Sequence, residues 1–189
     1  MKRFAASCVT MAGIVLIGFF GCTTTTLTSV WKDETLKPHY FKSVVVAGVT
    51  ENQDAREVFE TVFAREFDAI DVRAVPSLSI IREYENLTPD RLIRQARENQ
   101  LDTVLVTRLI EIAEKIFYQT PINDPLIDMK GSITRHEHYR LESKLYETRT
   151  GKMVWTASFE TVDPKNVNSA IGSLANALMK ELRASKFFR

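Results

Sequence analysis

The sequence predicts a single α/β domain: a mixed sheet with parallel core strands plus an antiparallel hairpin, flanked by about three helices. The 189-residue chain has the length of one domain that can bury its own core. Apolar β-branched runs alternate with helical patterns in the first half, which favours crossovers between parallel strands. Two strand-like segments around Thr150 and Gly151 predict the hairpin, and Gly151 suits a left-handed turn position.

The first predicted strand is followed by an amphipathic helix. Residues 43–49 (SVVVAGV) are apolar on both faces, as expected of a strand that is covered on each side. At the start of the helix, Asp54 and Glu57 have the spacing of a capping box. Opposite the apolar stripe of this helix, we expect a solvent-facing charged surface made of Arg56, Glu60, Arg65 and Glu66.

A second strand and helix repeat this arrangement, and a third strand follows. Residues 71–77 form a short strand, and Thr88 with Pro89 supplies the N-cap and first turn of a helix. The third strand starts at Asp102 as an apolar run and becomes mixed with charge toward Lys115. Its second half is therefore expected to leave the core.

The second half of the chain is predicted to contain a long loop, the hairpin and a final helix. Residues 117–132 contain two prolines and a glycine without periodicity, which indicates a loop. The hairpin strands are 133–147 and 152–162, and the second of these alternates between apolar and polar residues. Apolar residues at steps of three and four over 167–182 predict an amphipathic helix on the sheet.

The N-terminal residues have the layout of an export signal. A positive start precedes the apolar segment 4–20, and Gly21 and Cys22 follow it. Because Cys8 lies in the segment that export removes, Cys22 is a lone thiol and no disulfide can form within the mature chain. The apolar run of 17 residues is also at the short limit of a bilayer span. An uncleaved membrane anchor and plain secretion are therefore the alternatives.

Residues 18–22 (GFFGC) resemble the lipobox of bacterial lipoproteins. Gly21 and Cys22 match it, whereas Phe19 stands where an aliphatic residue is usual. The resemblance implies that residues 1–21 are a signal peptide and that Cys22 carries several acyl chains, such as palmitate. Several chains hold a protein in a membrane far more firmly than one.

This processing divides the chain into three parts. After the signal peptide, residues 22–40 contain the lipidated cysteine and a polar tether over 23–29, and residues 41–189 form the periplasmic domain. Lipoproteins that stay in the inner membrane commonly resemble one another in having Asp directly after the lipidated cysteine. This chain has Thr23 at that position. We therefore expect attachment to the outer membrane.

Charge and motifs exclude several classes of function. Removing residues 1–21 takes away two of the 25 basic residues and none of the 24 acidic ones, so the mature chain is nearly neutral and unsuited to nucleic acid. The glycines after residue 21 are too far apart for a phosphate-binding loop, and no nucleophile-elbow or metalloprotease motif occurs. We expect no cofactor and no enzyme activity.

One pair of residues has the pattern of metal ligands. His136 and His138 are two apart on a predicted strand, so their imidazoles point to the same face and could hold one ion. No third ligand is evident from the sequence. The alternative is a polar strand face beside the loop.

The predicted loop is more apolar than a solvated connection requires. Phe117, Tyr118, Leu126 and Ile127 lie within or at the start of it. These side chains either pack back onto the core or form a surface that docks a partner.

With the elements in order, four segments resemble a family of uncharacterised bacterial envelope lipoproteins: SVVVAGVTENQDAREVFETVFAREF, VRAVPS, LDTVLVTRL and LYETRTGKMVWTASFET. The family core is similar to the lipoprotein activators of penicillin-binding proteins, the curli secretion-channel lipoprotein and the N-terminal domain of the Tol-system periplasmic protein. The resemblance covers residues 40–185. It implies a non-catalytic domain that binds another envelope component, and Cys22 is the one family residue that carries over.

The expected function is a lipid-anchored protein-binding or scaffolding module that faces the periplasm. Two alternatives from other classes are a metal-dependent hydrolase acting on wall or lipid at His136 and His138, and a small-ligand carrier with a pocket beneath residues 117–132. Neither the partner nor the oligomeric state follows from the sequence.

Overall fold

The computed structural model describes residues 23–36, 40–84, 87–119, 122–124, 127–129 and 132–188. Eight strands and three helices lie within these residues. They are, in chain order, β1 Thr24–Lys32, β2 Ser43–Val49, α1 Gln53–Asp68, β3 Arg73–Pro76, α2 Pro89–Glu98, β4 Thr103–Gln119, β5 Ile122–Asp124, β6 Ile127–Met129, β7 Ser132–Glu147, β8 Met153–Val162 and α3 Val167–Ala184.

Six of these strands form one mixed sheet in the order β1-β8-β7-β4-β2-β3, and β5 and β6 form a separate pair. Strand β2 is parallel to both β3 and β4, whereas the contacts of β4 with β7, β7 with β8 and β8 with β1 are antiparallel. The predicted fold class is confirmed, since a parallel core and an antiparallel hairpin share one sheet flanked by three helices.

The helices cover the two faces of the sheet unequally. On the inner face, α1 and α3 pack over Leu105, Leu145 and Trp155. On the outer face, α2 covers β2 and the start of β4 through Leu92, Ile93 and Ala96 and the strand residues beneath them. The part of the outer face that belongs to β7, β8 and β1 has no helix over it among the described residues.

The helix starts follow from side-chain caps. Thr88 accepts a hydrogen bond from the backbone N–H of Arg91, with Pro89 in the first turn, as predicted. The cap predicted for α1 is wrong, because Asn52 and not Asp54 accepts from the N–H of Ala55. Asparagine is as good an N-cap as aspartate, so the local pattern allowed either.

The predicted charged face of α1 is also wrong in part. Arg56 and Glu60 are 1% and 0% exposed and form an ion pair inside the protein. A helix that is covered by a neighbouring turn as well as by the sheet buries more than one stripe, so periodicity alone assigned these two residues to solvent.

The predicted polar tether over 23–29 is corrected by the first strand. Residues 24–32 pair along β8, from Thr24 opposite Val162 to Lys32 opposite Trp155, with a bulge between Leu27 and Ser29. These residues belong to the sheet. Threonine is β-branched and favours strands where one face is buried, so a polar threonine run at an edge has a strand's propensity without an apolar pattern.

The predicted loop over 117–132 is corrected by the two longest strands. Strand β4 continues to Gln119 and β7 starts at Ser132, and Gln119 pairs with Ser132.

The prediction for Gly151 is confirmed, because its φ of 73° lies in the left-handed region. Residues 1–22, with the predicted signal peptide and Cys22, and Leu126 lie outside the described residues. None of the helices in the described part of the chain is long and apolar enough to cross a bilayer.

Candidate functional site

Strands β4 and β7 extend beyond the rest of the sheet as an arm. Strand β2 pairs with β4 only as far as Arg108, and β8 pairs with β7 only from His138 onward. We call residues 109–119 of β4 and 132–141 of β7 the hairpin arm; residues 138–141 are still paired with β8, and the remainder of β7 in the arm pairs with β4 alone. At about 3.3 Å per residue, the β4 part of this arm is roughly 35 Å long.

The inner face of the hairpin arm carries exposed apolar side chains, with Glu114 and Glu137 between Ile112 and Ile116. Residues opposite one another on paired strands point to the same side, so Ile112 lies beside Tyr139 and follows Leu109 and Leu141 along this face. Ile112 is 58% exposed, and Leu109 and Ile116 are each 44% exposed. Neighbouring exposed apolar side chains of this kind are suited to contact with another surface.

An apolar groove lies at the base of the arm. It has a volume of about 410 Å³ and is bounded by the end of β2, by the point where β4 leaves β2 and by the N-terminal halves of α1 and α3. We call it the apical groove. Its apolar lining includes Val49, Phe59, Leu109, Leu141, Ile171 and Leu174. Ligands of open α/β sheets bind at the carboxyl ends of the parallel strands, which is where this groove lies.

The floor of the apical groove depends on one glycine. A Cβ on Gly48 would lie 2.9 Å from Cδ1 of Phe59. Only a residue without a side chain lets α1 approach β2 this closely, and Phe59 thereby becomes part of the lining. Asn52 and Asn166, the N-caps of α1 and α3, stand at the rim.

The apical groove and the hairpin arm form one continuous surface. Leu109 and Tyr139 line the groove and also belong to the arm. Ile112 pairs with Tyr139 and is the next exposed apolar side chain on the same face. The two features therefore make one elongated apolar site, which is open at the arm.

The titratable residues that line the groove are already engaged with neighbours. The hydrogen bond that the hydroxyl of Tyr139 donates to Glu137 raises the pKa of this phenol, so it is a donor and not a base at neutral pH. Arg108 donates to Glu142 through two nitrogens. Burial raises the pKa of Glu142, but hydrogen bonds from Lys144 and Arg108 outweigh it and lower the pKa overall. This arrangement suits binding of apolar groups more than acid–base chemistry.

His136 and His138 point to the outer face, away from the apical groove. Nδ1 of His138 is 3.0 Å from Oε1 of Glu160, and Nδ1 of His136 contacts a carboxylate oxygen of Asp163. Each imidazole thus has its own carboxylate partner. In the described part of the chain, no group of three metal-ligating side chains is placed to hold an ion.

The hydrogen bonds of these histidines help to lower the pKa values of their carboxylate partners, Glu160 and Asp163. The bond from Lys115 and then that from His138 lower the pKa of Glu160. The bond from His136, together with the backbone N–H of Glu137, lowers the pKa of Asp163. The two hydrogen-bonded pairs therefore tie β7 to the end of β8.

The predicted partner surface consisted of Phe117, Tyr118, Leu126 and Ile127. Among these four residues, the structure describes the side chain of Phe117. Its ring is 52% exposed and lies edge-on to His136, with the ring centres 5.5 Å apart, on the outer face of the arm. Tyr118 and Ile127 lie in β4 and β6, and only their backbone is described. The exposed apolar residues Leu109, Ile112 and Ile116 were missed, because the bulge at Ile110 breaks their alternation.

No family model matches this chain, and no curated protein matches it. Three solved structures illustrate what it is similar to. A PelC dodecamer from Paraburkholderia phytofirmans is 18% identical, with 88% of this chain and 99% of that chain covered and a TM-score of 0.48. Lipoprotein GNA1162 from Neisseria meningitidis is 15% identical, covering 76% and 99%, with a TM-score of 0.43.

The third is a minor lipoprotein from Acinetobacter baumannii, 15% identical, with 77% of this chain and 95% of that chain covered and a TM-score of 0.29. Two of these three structural neighbours are thus bacterial lipoproteins by name. All three TM-scores are below 0.5, so these likenesses carry no conclusion about function.

Proposed function

We propose that this chain is a lipid-anchored, non-catalytic module of the bacterial envelope that faces the periplasm and binds another envelope protein through its elongated apolar site. The observation that carries the proposal is the continuity of the apical groove with the exposed inner face of the hairpin arm through Leu109 and Tyr139. A contiguous apolar surface of this kind typically marks an interaction site.

The anchor in this proposal is a lipid on Cys22, after cleavage of the signal peptide over residues 1–21. The hydroxyl of Thr23 donates to Ser169 in the first turn of α3, and Asn166 and Val167 of the same turn line the apical groove. The lipid would thus attach at the end of the domain that carries the binding site. We expect that site to face the membrane, with the outer membrane as the favoured location.

The shape of the site favours a protein over a small molecule. A groove of about 410 Å³ has the size of a small-ligand pocket, which makes an apolar ligand carrier the second candidate. However, the groove opens directly onto an arm that carries further exposed apolar side chains. An elongated partner, such as an amphipathic helix, would cover both parts.

Photo-crosslinking in the native cell tests the proposal. A photoreactive residue replaces Ile112 in the full chain, and the matched control replaces Tyr84, which is exposed at 38% and lies in the connection between β3 and α2. We expect one envelope protein to be captured from position 112 and not from position 84.

The captured protein is then purified and its affinity for the lipidated chain is measured. Ile112→Ser should weaken binding about tenfold, since it removes roughly 1–2 kcal/mol of apolar burial. Tyr84→Ser should leave the affinity unchanged. Equal capture from both positions would contradict the proposal, whereas a copurifying apolar small molecule lost on Ile112→Ser would favour the carrier.

A further inference from the structure

The two edge strands of the sheet differ in how they are protected. Strand β3 is four residues long, begins at the exposed Arg73 and ends at Pro76. Short length, charge and proline are the usual ways to block pairing at an edge. Strand β1 has nine residues with no proline and no charge before Lys32. Its edge therefore lacks this protection.

Hydrogen bonds identify which β1 groups point outward. The N–H of Asp33 donates to the carbonyl of Val154 in the direction of β8. Amides alternate along an antiparallel strand, so the N–H groups of Lys32 and Val30 point away from β8. The side chain of Val30 is 52% exposed. β1 thus presents backbone donors at an edge that no other described strand covers.

Side-chain contacts hold this edge in place at both ends. The hydroxyls of Thr25 and Thr161 lie 2.7 Å apart, which ties the start of β1 to β8. At the other end, Nζ of Lys32 donates to the carbonyl of Ser185 and lies over the ring of Phe187. A strand fixed in this way is already in the geometry that a pairing strand requires.

A second groove lies between α3 and the first part of the same edge, residues 23–27, on the other side of the bulge from Val30. We call it the edge groove; its volume is about 730 Å³. Four of the α3 residues along it are small, namely Ser169, Gly172, Ser173 and Ala177, and Asn176, Lys180 and Glu181 complete this side. A Cβ built on Gly172 would meet no atom within 4 Å, so the groove has room for added side chains.

We propose that β1 is a strand-addition site for an extended peptide segment of another protein. The row of outward backbone groups selects an extended chain, because only such a chain offers matching donors and acceptors along its length. Alternate side chains of the added strand would lie over the small residues of α3, so the segment should be apolar at every second position. This site is separate from the apical groove and does not depend on the function proposed above.

Selection from a displayed library of random peptides of roughly ten residues tests this site on the lipidated full chain. We expect the enriched peptides to be apolar at alternate positions. Val30→Pro removes an outward N–H and leaves the β8 hydrogen bonds intact, which an edge strand tolerates. It should weaken peptide binding at least tenfold, whereas Val30→Ala, which keeps the N–H, should weaken it much less.

Gly172→Leu provides a second variant if Val30→Pro does not fold. Its Cβ meets no atom within 4 Å, and its side chain should occupy the edge groove and also weaken peptide binding. Ile112→Ser should not, and this separates the site from the elongated apolar site. No enriched peptide, or binding that survives both Val30→Pro and Gly172→Leu, would overturn the proposal. Self-association that Val30→Pro abolishes would instead assign the edge to a second copy of the chain.

Discussion

Arg56 and Glu60 form an ion pair inside the protein, one helical turn apart on α1. Nε of Arg56 is 2.9 Å from Oε1 of Glu60, and the side chains are 2% and 1% exposed. Glu60 also accepts from the N–H groups of Gly48 and Leu78 and from the hydroxyl of Ser77. The pair therefore connects α1 both to the end of β2, beside the apical groove, and to the turn after β3.

Breaking this pair should destabilise the domain strongly. Arg56→Met leaves the buried carboxylate of Glu60 without its cation, and breaking a buried ion pair in this way typically costs about 3–5 kcal/mol. The double variant Arg56→Met/Glu60→Met should cost less than the sum of the two single variants, since it removes both charges. Urea unfolding of all four proteins measures this. Strict additivity would show that the two side chains do not interact.

Two glycines should respond in opposite ways to the same substitution. Gly48→Ala places a Cβ 2.9 Å from Phe59 and should destabilise the domain by about 1–3 kcal/mol. Gly172→Ala in the middle of α3 meets open space and should stabilise it by about 1 kcal/mol. Thermal unfolding of the two variants distinguishes these signs. Stabilisation by Gly48→Ala would contradict the tight contact between β2 and α1.

The carboxylate partners of the histidines should make part of the stability dependent on pH. The pKa values of Glu160 and Asp163 are lowered in the folded state. Their contribution is therefore complete well above pH 4 and is lost as the pH falls through the folded values in the acid range. The difference in unfolding free energy between wild type and Glu160→Gln should shrink below about pH 4.

A change in salt concentration tests the same electrostatic contribution. The carboxylates of Glu160 and Asp163 are partly exposed, and salt screens exposed charges. At pH 7 the difference between wild type and Glu160→Gln should be smaller at about 1 M salt than at low salt. A difference that is constant across both pH and salt would mean that the charge of Glu160 does not stabilise the fold.

Cell fractionation and intact mass should reveal processing at Cys22. Wild-type protein extracted with detergent should begin at Cys22 and carry the added mass of several acyl chains. Cys22→Ala should lose membrane retention, while Cys8→Ala, in the segment that is removed, should behave as wild type. If Cys22→Ala remained fully in the membrane with residues 1–21 attached, the segment would be an uncleaved anchor.

Elements with a local signal could be predicted from the sequence. The doubly apolar run of β2, the Thr88 cap of α2 and the stripe of α3 are confirmed within a few residues. Each depends on neighbours that are close in the chain, such as a cap and its first turn or residues one helical turn apart. Local periodicity is visible in any single sequence.

Elements that depend on residues far apart in the chain could not be predicted from the sequence. β1 becomes a strand because β8, more than 120 residues later in the chain, offers it a partner. The hairpin arm forms because β4 and β7 pair with each other after both have left the core, although charges interrupt their pattern. The burial of Arg56 required the turn that contains Ser77 to close over it.

By itself, the sequence determined the α/β class, the three main helices and the expectation of a lipid anchor at Cys22, since composition and short-range spacing carry those signals. Tertiary structure alone decided that Leu109 and Ile112 extend the apical groove, that Gly48 admits Phe59 to its floor and that β1 leaves an open edge. Those features are relations between surfaces that approach one another only after folding, and no local pattern encodes them.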